Sequence, residues 1–401
     1  MSNPWLSMNT PCLSDCHVWL LDGTIRTALV IGLALLVDAL IGDPVFTWHP
    51  VRLIGRLAEA MEASTRRLSG CPVPADTVHA NGTAGLDHTF PARATVEARA
   101  VAAGAIAWML TFGLTAGLAI AASWLAGMVH PVLGLVIDAA LVWASVAPGD
   151  LAAHALRVKQ ALERDRREHA AASQENGAGH PLSTTDAPVR EPARGRVAVA
   201  MIVGRDVSVL DETGVARACI ESVAESSIDG AAAPIFWAAL LGPWAALAYR
   251  SVNTMDSMFG HRNARYLSFG LVAARADDGA NWLPARLSSI LACLVSPTAG
   301  GSIRGACATF FKYRLSHASP NAGHPESAYA GAFGLRLGGP VSYPEGLAVK
   351  PWMNPEGREA TIEDIQKSVS LMYIQTLVST LAFLACRFAL SMLFQNMQTN
   401  L

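Results

Sequence analysis

The sequence predicts an all-α, polytopic integral membrane protein, and three observations carry that expectation. Charged residues fill only 15% of 401 positions, where a soluble chain would carry roughly a quarter. Apolar residues reach 52%, with a mean hydropathy of +0.31. Charge-poor runs long enough to cross about 30 Å of hydrocarbon recur along the chain. The balance of 30 Lys plus Arg against 32 Asp plus Glu leaves a charge of −2. It therefore lacks the basic footprint of a nucleic-acid binder, and no nucleic-acid partner is expected. Seven scattered cysteines make an odd total and argue against a disulfide framework. Cys12, Cys16 and His17 lack the second Cys/His pair that would complete a zinc site.

The elements follow in order. Residues 1–23 contain Asp15 and Asp22 but no Lys or Arg, unlike the start of a cleaved signal, so they read as a short extracytoplasmic tail before a retained helix. A single membrane-embedded domain then occupies 24–401. Its first span is 24–42, apolar apart from Arg26 and Asp38. Between Arg99 and Asp138 no charge occurs, and the His130-Pro131 pair interrupts the run, which suits two spans at about 100–123 and 126–147. The run 368–394, broken only by Arg387, gives the last long span. Segments 231–249 and 284–298 are apolar but short or interrupted by Gly242-Pro243, so tilted spans, re-entrant hairpins and buried helices all remain open. The count is four spans, or six. Residues 70–92 and 165–196 lack any apolar period and read as mobile loops. Basic residues concentrate in 43–99 and 150–230, which places both segments in the cytoplasm with the termini outside.

Scarce polar residues are clustered. Leu210 to Gly230 reads as a helix capped by Asp211, with Glu221, Glu225 and Asp229 on one stripe that suits a divalent cation or a basic group. A solvated acidic face is the competing reading of the stripe taken alone. A second cluster holds Arg250, Asn253, Asp256, His261, Arg262, Asn263, Arg275, Asp277, Asp278, Asn281 and Arg286. Such alternation of Arg and Asp at a membrane boundary suits a phosphate site in which carboxylates share Mg²⁺ with phosphate oxygens and guanidinium forks take the rest. Structural ion pairs would use the same residues. A third region, 316–346, is rich in Gly and Pro and reads as tight turns with exposed backbone N–H groups. No Walker loop occurs. Asp38, Asp43, His49 and Arg52 form a smaller group after the first span.

Asp38-Ala-Leu-Ile-Gly-Asp43-Pro44, His49-Pro50-Val-Arg52, Ile202-Val-Gly204-Arg205-Asp206, Glu221 to Gly230, Val252 to Ser257, Ala274 to Asp278 with Asn281 to Arg286, and Ser319-Pro320-Asn321-Ala-Gly323 together closely resemble the CobD/CbiB cobalamin-biosynthesis family. The resemblance covers nearly the whole chain outside 1–23, 70–92 and 165–196. It implies an inner-membrane adenosylcobinamide-phosphate synthase with a cytoplasmic site, joining the propionate carboxyl of adenosylcobyric acid to aminopropanol phosphate or aminopropanol at the expense of ATP. ATP and Mg²⁺ are the implied cofactors. The lipid bilayer and other membrane enzymes of late cobalamin assembly are the implied partners. The sequence departs from the family pattern at Ser226-Ser227, where Asn-Thr is usual, at His261 for Tyr and at His324 for Trp; the two histidines fall at sites expected to pack.

The chemistry assigns roles within this set. A carboxylate is a poor acyl donor until phosphorylated, so cationic clamps and Mg²⁺ are needed first, and then a base that frees the amine. The catalytic candidates are Glu221, Glu225, Asp256, Asp277 and Asp278, with Asp256 and Asp277 as metal ligands. Arg205, Arg250, Arg262, Arg275 and Arg286 are candidates for phosphate binding. Asp43, His49, Arg52, Asp229, Asn253, Asn263, Asn281 and Asn321 are candidates for substrate binding. Glu221, Glu225 and His49 each suit the base. A Mg²⁺-dependent membrane transferase acting on diphosphates would use repeated Asp-rich motifs whose spacing is absent here, and a signalling or scaffold protein of AmpE type would make the polar clusters structural.

Overall fold

The computed structural model describes residues 13–42, 47–71, 90–176, 192–261, 263–343 and 346–399. Almost all of this is helix. Four stretches are long and apolar enough to cross a bilayer: Gly23–Ile41, Thr95–Val129, Pro131–Ala171 and Ile362–Met397. The first lies in α1 (Leu13–Ile41), so helix already occupies the end of the expected N-terminal tail. Next comes α2 (Pro50–Ser69), followed by α3 (Phe90–Val129) and α4 (Pro131–Trp143). The expected boundary between spans two and three moves to His130. Its imidazole Nδ1 accepts the Val132 N–H at 3.2 Å and caps α4, while Pro131 at the first helical position needs no donor. Leu29, Leu36, Leu114, Leu118, Leu377 and Leu381 are among many large apolar side chains left exposed on these helices, the outward face lipid requires.

The expected loop at 165–196 is corrected at both ends. Helix α5 (Pro148–Asn176) runs well past position 165, and α6 (Ala193–Val199) packs back on it, with buried Asp165 accepting the Gly195 N–H at 3.0 Å. The remainder of that segment, and residues 72–89 of the other expected loop, lie outside the described residues.

Helix α7 (Glu212–Ser227) begins as predicted, with the Asp211 carboxylate accepting the Gly214 N–H at 2.7 Å. It does not stop at Gly230. One π-helical turn, Ile228–Ala232, carries it into α8 (Ala233–Leu241). Gly242 then reverses the chain into α9 (Pro243–Phe259). At about 1.5 Å per residue α8 is only about 14 Å long, and 231–249 is not among the four stretches long and apolar enough to cross a bilayer. The Arg387 guanidinium, on the last helix, donates to the Ala239 carbonyl at 2.8 Å and satisfies the end of α8 inside the apolar layer. Helix α10 (Leu271–Val295) absorbs most of 284–298 with Pro284 in its interior, and a 3-10 turn, Ser296–Ala299, takes the rest.

Region 316–346 is the largest departure from expectation. After α11 (Ile303–Tyr313) and a turn, Gly323–Phe333 forms a fully buried helix, α12, and not a string of exposed turns. Small residues serve packing here: a Cβ added at Gly331 would strike the Gly305 carbonyl, and one at Gly305 would strike that of Gly331. Strands β1 (Leu337–Tyr343) and β2 (Gly346–Met353) then pair antiparallel, a hairpin in an otherwise helical protein. Helix α13 (Ile362–Thr399) closes the chain. Two cores result. One joins α5, α7, α11, α12 and the start of α13 through residues such as Leu162, Ile220, Phe310, Tyr329 and Ile365. The other joins α1, α4, α8 and α13 within the apolar layer through Ile31, Val142, Ile235 and Phe383.

Candidate functional site

A cleft of about 560 Å³ opens where α7, α9, α10, the turn before α12 and β2 meet. Its walls carry Glu225 and Asp229 from α7 and the π turn, Asp256 from α9, and Asp277, Asp278 and Asn281 from α10. The π turn carries Asp229, which lines the same cleft as Glu225. The freed Gly230 carbonyl takes the Ala147 N–H at 2.8 Å.

Asp277 is fixed from two sides. The Asn281 amide donates to one oxygen at 3.0 Å and the Asn253 amide to the other at 3.3 Å. Tyr249 Oη donates to Asn281 at 2.8 Å, and Arg250 donates to Asn253 at 3.3 Å. Across the cleft, Asn321 donates to the Asp278 backbone carbonyl at 2.9 Å and accepts from Arg286 at 3.3 Å, while the Arg286 guanidinium stacks on Trp282. The Ser319 hydroxyl accepts the N–H groups of Asn321 and Ala322, both at 3.2 Å, shaping the turn.

Crowding of carboxylates in a poorly solvated cleft shifts their titration upward. Burial first, then Asp278 and Glu225, push Asp256 up to about 6. Burial first, then Asp256, push Asp277 up to about 7, although both amides oppose the shift. Glu225 and Asp229 are raised as well by burial; Lys350 opposes the shift of Glu225, and Asp277 adds to that of Asp229.

Other expected site residues stand apart from this cleft. Glu221 is held on both oxygens, by Arg205 at 2.6 Å and by the Gly338 N–H at 2.7 Å, so it ties β1 to α7 instead of facing the opening. His49 is buried edge-on against Trp143 at the start of α2, and Arg52 lies on the exposed face of that helix. Asn263 closes a turn by accepting the Tyr266 N–H at 3.0 Å. Arg275 lines an adjoining cavity of about 430 Å³ with His261 and Asp278. Asp43 and Arg262 lie outside the described residues. His324 is buried edge-on against Phe310, as a packing position requires. Ser226 offers no amide, and buried Ser227 turns inward to the Ala224 carbonyl at 2.6 Å.

Three residues near the cleft escaped sequence reasoning. Lys350, on β2, and His317 line it, and buried Glu326 lies 3.9 Å from His317. Only Glu326 left a trace in the sequence, as a carboxylate in a region with almost no others. Among the described residues no three His, Cys, Asp or Glu side chains are grouped tightly enough to hold a metal ion by themselves.

The fold and cleft together define a polytopic helical membrane protein whose conspicuous polar feature is a cluster of carboxylates lining one cleft. Its CobD/Cbib protein family profile matches residues 31–372. The chain is 36% identical over 362 residues to the cobalamin biosynthesis protein CobD of Pelobacter propionicus, covering 89% of this chain and 94% of the relative. It is 33% identical to CobD of Klebsiella pneumoniae, over 90% of this chain and 98% of the relative. CbiB of Salmonella typhimurium is 33% identical over 91% of this chain and 99% of the relative. No solved structure matches. The chain belongs to the CobD/CbiB family of cobalamin biosynthesis proteins.

Proposed function

We propose that this protein is an ATP-dependent ligase that joins aminopropanol phosphate to the propionate carboxyl of adenosylcobyric acid, giving adenosylcobinamide phosphate. The observation that carries the reading is the convergence of five carboxylates from α7, the π turn, α9 and α10 on one cleft that Lys350 also lines. Such a site suits a cationic amine and a metal-bound polyphosphate, and family membership supplies the corrinoid.

The proposed reaction has two steps. The propionate oxygen attacks the γ-phosphorus of ATP, the bond to the bridging oxygen breaks, and ADP leaves, so the carboxyl becomes an acyl phosphate. The neutral amine then attacks the acyl carbon, and phosphate departs with the C–O electron pair. Glu225 is the group we assign to accept the amine proton, since Glu221 is engaged on both oxygens and His49 does not line the cleft. Arg275 and Arg286 flank the cleft as candidates for the phosphoryl oxygens. The donor set fits Mg²⁺, which is usually held by one or two carboxylates and completed by substrate phosphates and water; Asp256 and Asp277 would hold it. When bound, the ion supplies charge neutralisation for the phosphoryl group.

On this reading the cleft faces the cytoplasm of an inner-membrane protein, where ATP is available. Incubation of purified protein with adenosylcobyric acid, aminopropanol phosphate, ATP and Mg²⁺, followed by mass spectrometry of the corrinoid, tests the proposal. The amide product with one ADP per turnover is expected. Unchanged corrinoid from a correctly folded preparation would overturn it.

A further inference from the structure

A second cavity, about 830 Å³, lies away from the carboxylate cleft between the end of α2 and the connection from α9 to α10. It is amphipathic. Met258, Ala63 and the Tyr266 ring supply apolar surface, and Arg66, Arg67 and Arg265 supply cations against Glu59 and Glu62. Glu62 is buried and shared by two guanidinium groups, Arg66 at 2.8 Å and Arg265 at 3.1 Å. Buried Arg66 is locked further by the Arg265 carbonyl at 2.8 Å and by the Phe269 ring beneath it. Arg67 is exposed and has no carboxylate partner among the described residues. The wall thus holds a built cationic surplus, part rigid and part free.

Its depth in the membrane follows from α3. Beyond Arg99, the last charge on α3, the exposed large apolar side chains of that helix run from Ile106 to Val129, about 35 Å of helix, close to the thickness of the hydrocarbon layer. The belt begins two residues beyond Gly104, which lies flush against the Phe269 carbonyl, and Phe269 is the ring on which Arg66 stacks. The arginines therefore stand at the edge of the hydrocarbon layer, at headgroup level. Leu68, beside Arg67 in the last turn of α2, is 89% exposed and adds apolar surface at that end of the helix.

We infer that this cavity binds the headgroup of one anionic phospholipid, its phosphate on Arg67 and Arg265 and its glycerol backbone against Met258 and Tyr266. A free phosphate would use the guanidinium groups but not the apolar wall or the adjoining belt. Tyr266 also lines the Arg275 cavity beside the carboxylate cleft, so a seated headgroup would fix a wall common to both. The inference does not depend on the proposed reaction.

The test is native mass spectrometry of the full chain in detergent, with phosphatidylglycerol and phosphatidylcholine of identical chains offered together. Retention of phosphatidylglycerol at least about tenfold over phosphatidylcholine is expected, with Arg67→Gln reducing the preference and Arg67→Gln with Arg265→Gln abolishing it. Arg67→Gln keeps the fold because that side chain is exposed and unpaired, so the single variant remains informative if the double variant is unstable. Equal retention of the two lipids, or an unchanged preference in Arg67→Gln, would overturn the inference. Millimolar inorganic phosphate displacing the lipid completely would also overturn it, by showing a site for free phosphate.

Discussion

Asp38, near the end of α1, accepts the Gly149 N–H at 2.8 Å and so caps a helix that begins more than a hundred residues later. The fit is close: a Cβ at Gly149 would lie 2.9 Å from both the Asp38 carbonyl and its carboxylate. This contact joins the apolar layer to the helical layer above it, because α5 continues into the core around Leu162.

Asp38→Ala is expected to lower stability by about 1–2 kcal/mol, the upper range for loss of a helix cap, since the carboxylate is buried. Gly149→Ala should be at least as damaging, because the collision is with backbone. Thermal unfolding in a single detergent compares the two; Gly149→Ala melting with the native protein would refute the close approach.

Asp277→Ala, Asp256→Ala and Arg275→Ala are each expected to reduce turnover a few hundredfold, or about 3–4 kcal/mol of transition-state stabilisation, if they serve the phosphoryl step. Asp277 needs a control because two amides depend on it. Asp277→Asn keeps the shape and removes the charge. Turnover per folded molecule, measured beside melting, separates chemistry from structure, and normal turnover in a variant that merely melts early would remove these residues from the catalytic set.

The raised carboxylates make stability depend on pH. Asp256 and Asp277 titrate near 6 and 7 in the folded protein, against about 3.8 when unfolded, so the folded state holds the extra protons. Their contribution is fully present below about pH 4 and is lost as pH rises through 6 and then 7. Melting temperature should fall across that window, and Asp277→Asn should flatten the fall. Mg²⁺ should flatten it too, by neutralising the ionised pair. A slope identical in the wild type and Asp277→Asn would show that another group titrates there.

Within the apolar layer, the Arg26 guanidinium meets buried Asp138 at 2.7 Å, and the Ser123 hydroxyl donates to the same carboxylate at 2.6 Å. Arg26→Leu strands a carboxylate and should destabilise more than Arg26→Leu combined with Asp138→Leu. The loss should stay below the roughly 3–5 kcal/mol of a wholly buried pair, because Arg26 is half exposed. Equal melting of the single and double variants would show that the pair contributes no coupling.

The spans were legible because hydrocarbon imposes a length and a composition, and neither depends on tertiary detail. Glu225, Asp229, Asp256, Asp277 and Asn281 were legible as a set for a related reason: charge is scarce in this chain, so its clustering carries information. The pairing of Glu221 with Arg205 and Gly338 was not, because a contact over that separation leaves no local pattern. Region 316–346 misled for a physical reason. Small residues that read as turn formers are equally those that let α11 and α12 approach closely, and composition does not distinguish the two uses. Lys350 escaped because a two-stranded hairpin beside a helical core has too short a period to announce itself.

The Glu221 to Gly338 contact also dictates an order of assembly. Helix α7 leaves the ribosome more than a hundred residues before the strand that it anchors, and a contact of such separation forms late. Until β1 and β2 arrive, the Glu221 carboxylate lacks the Gly338 half of its coordination and the cleft lacks the strand that carries Lys350. A chain truncated before 338 would therefore hold Glu221 without its Gly338 donor and leave the carboxylate cleft open on the side that Lys350 lines.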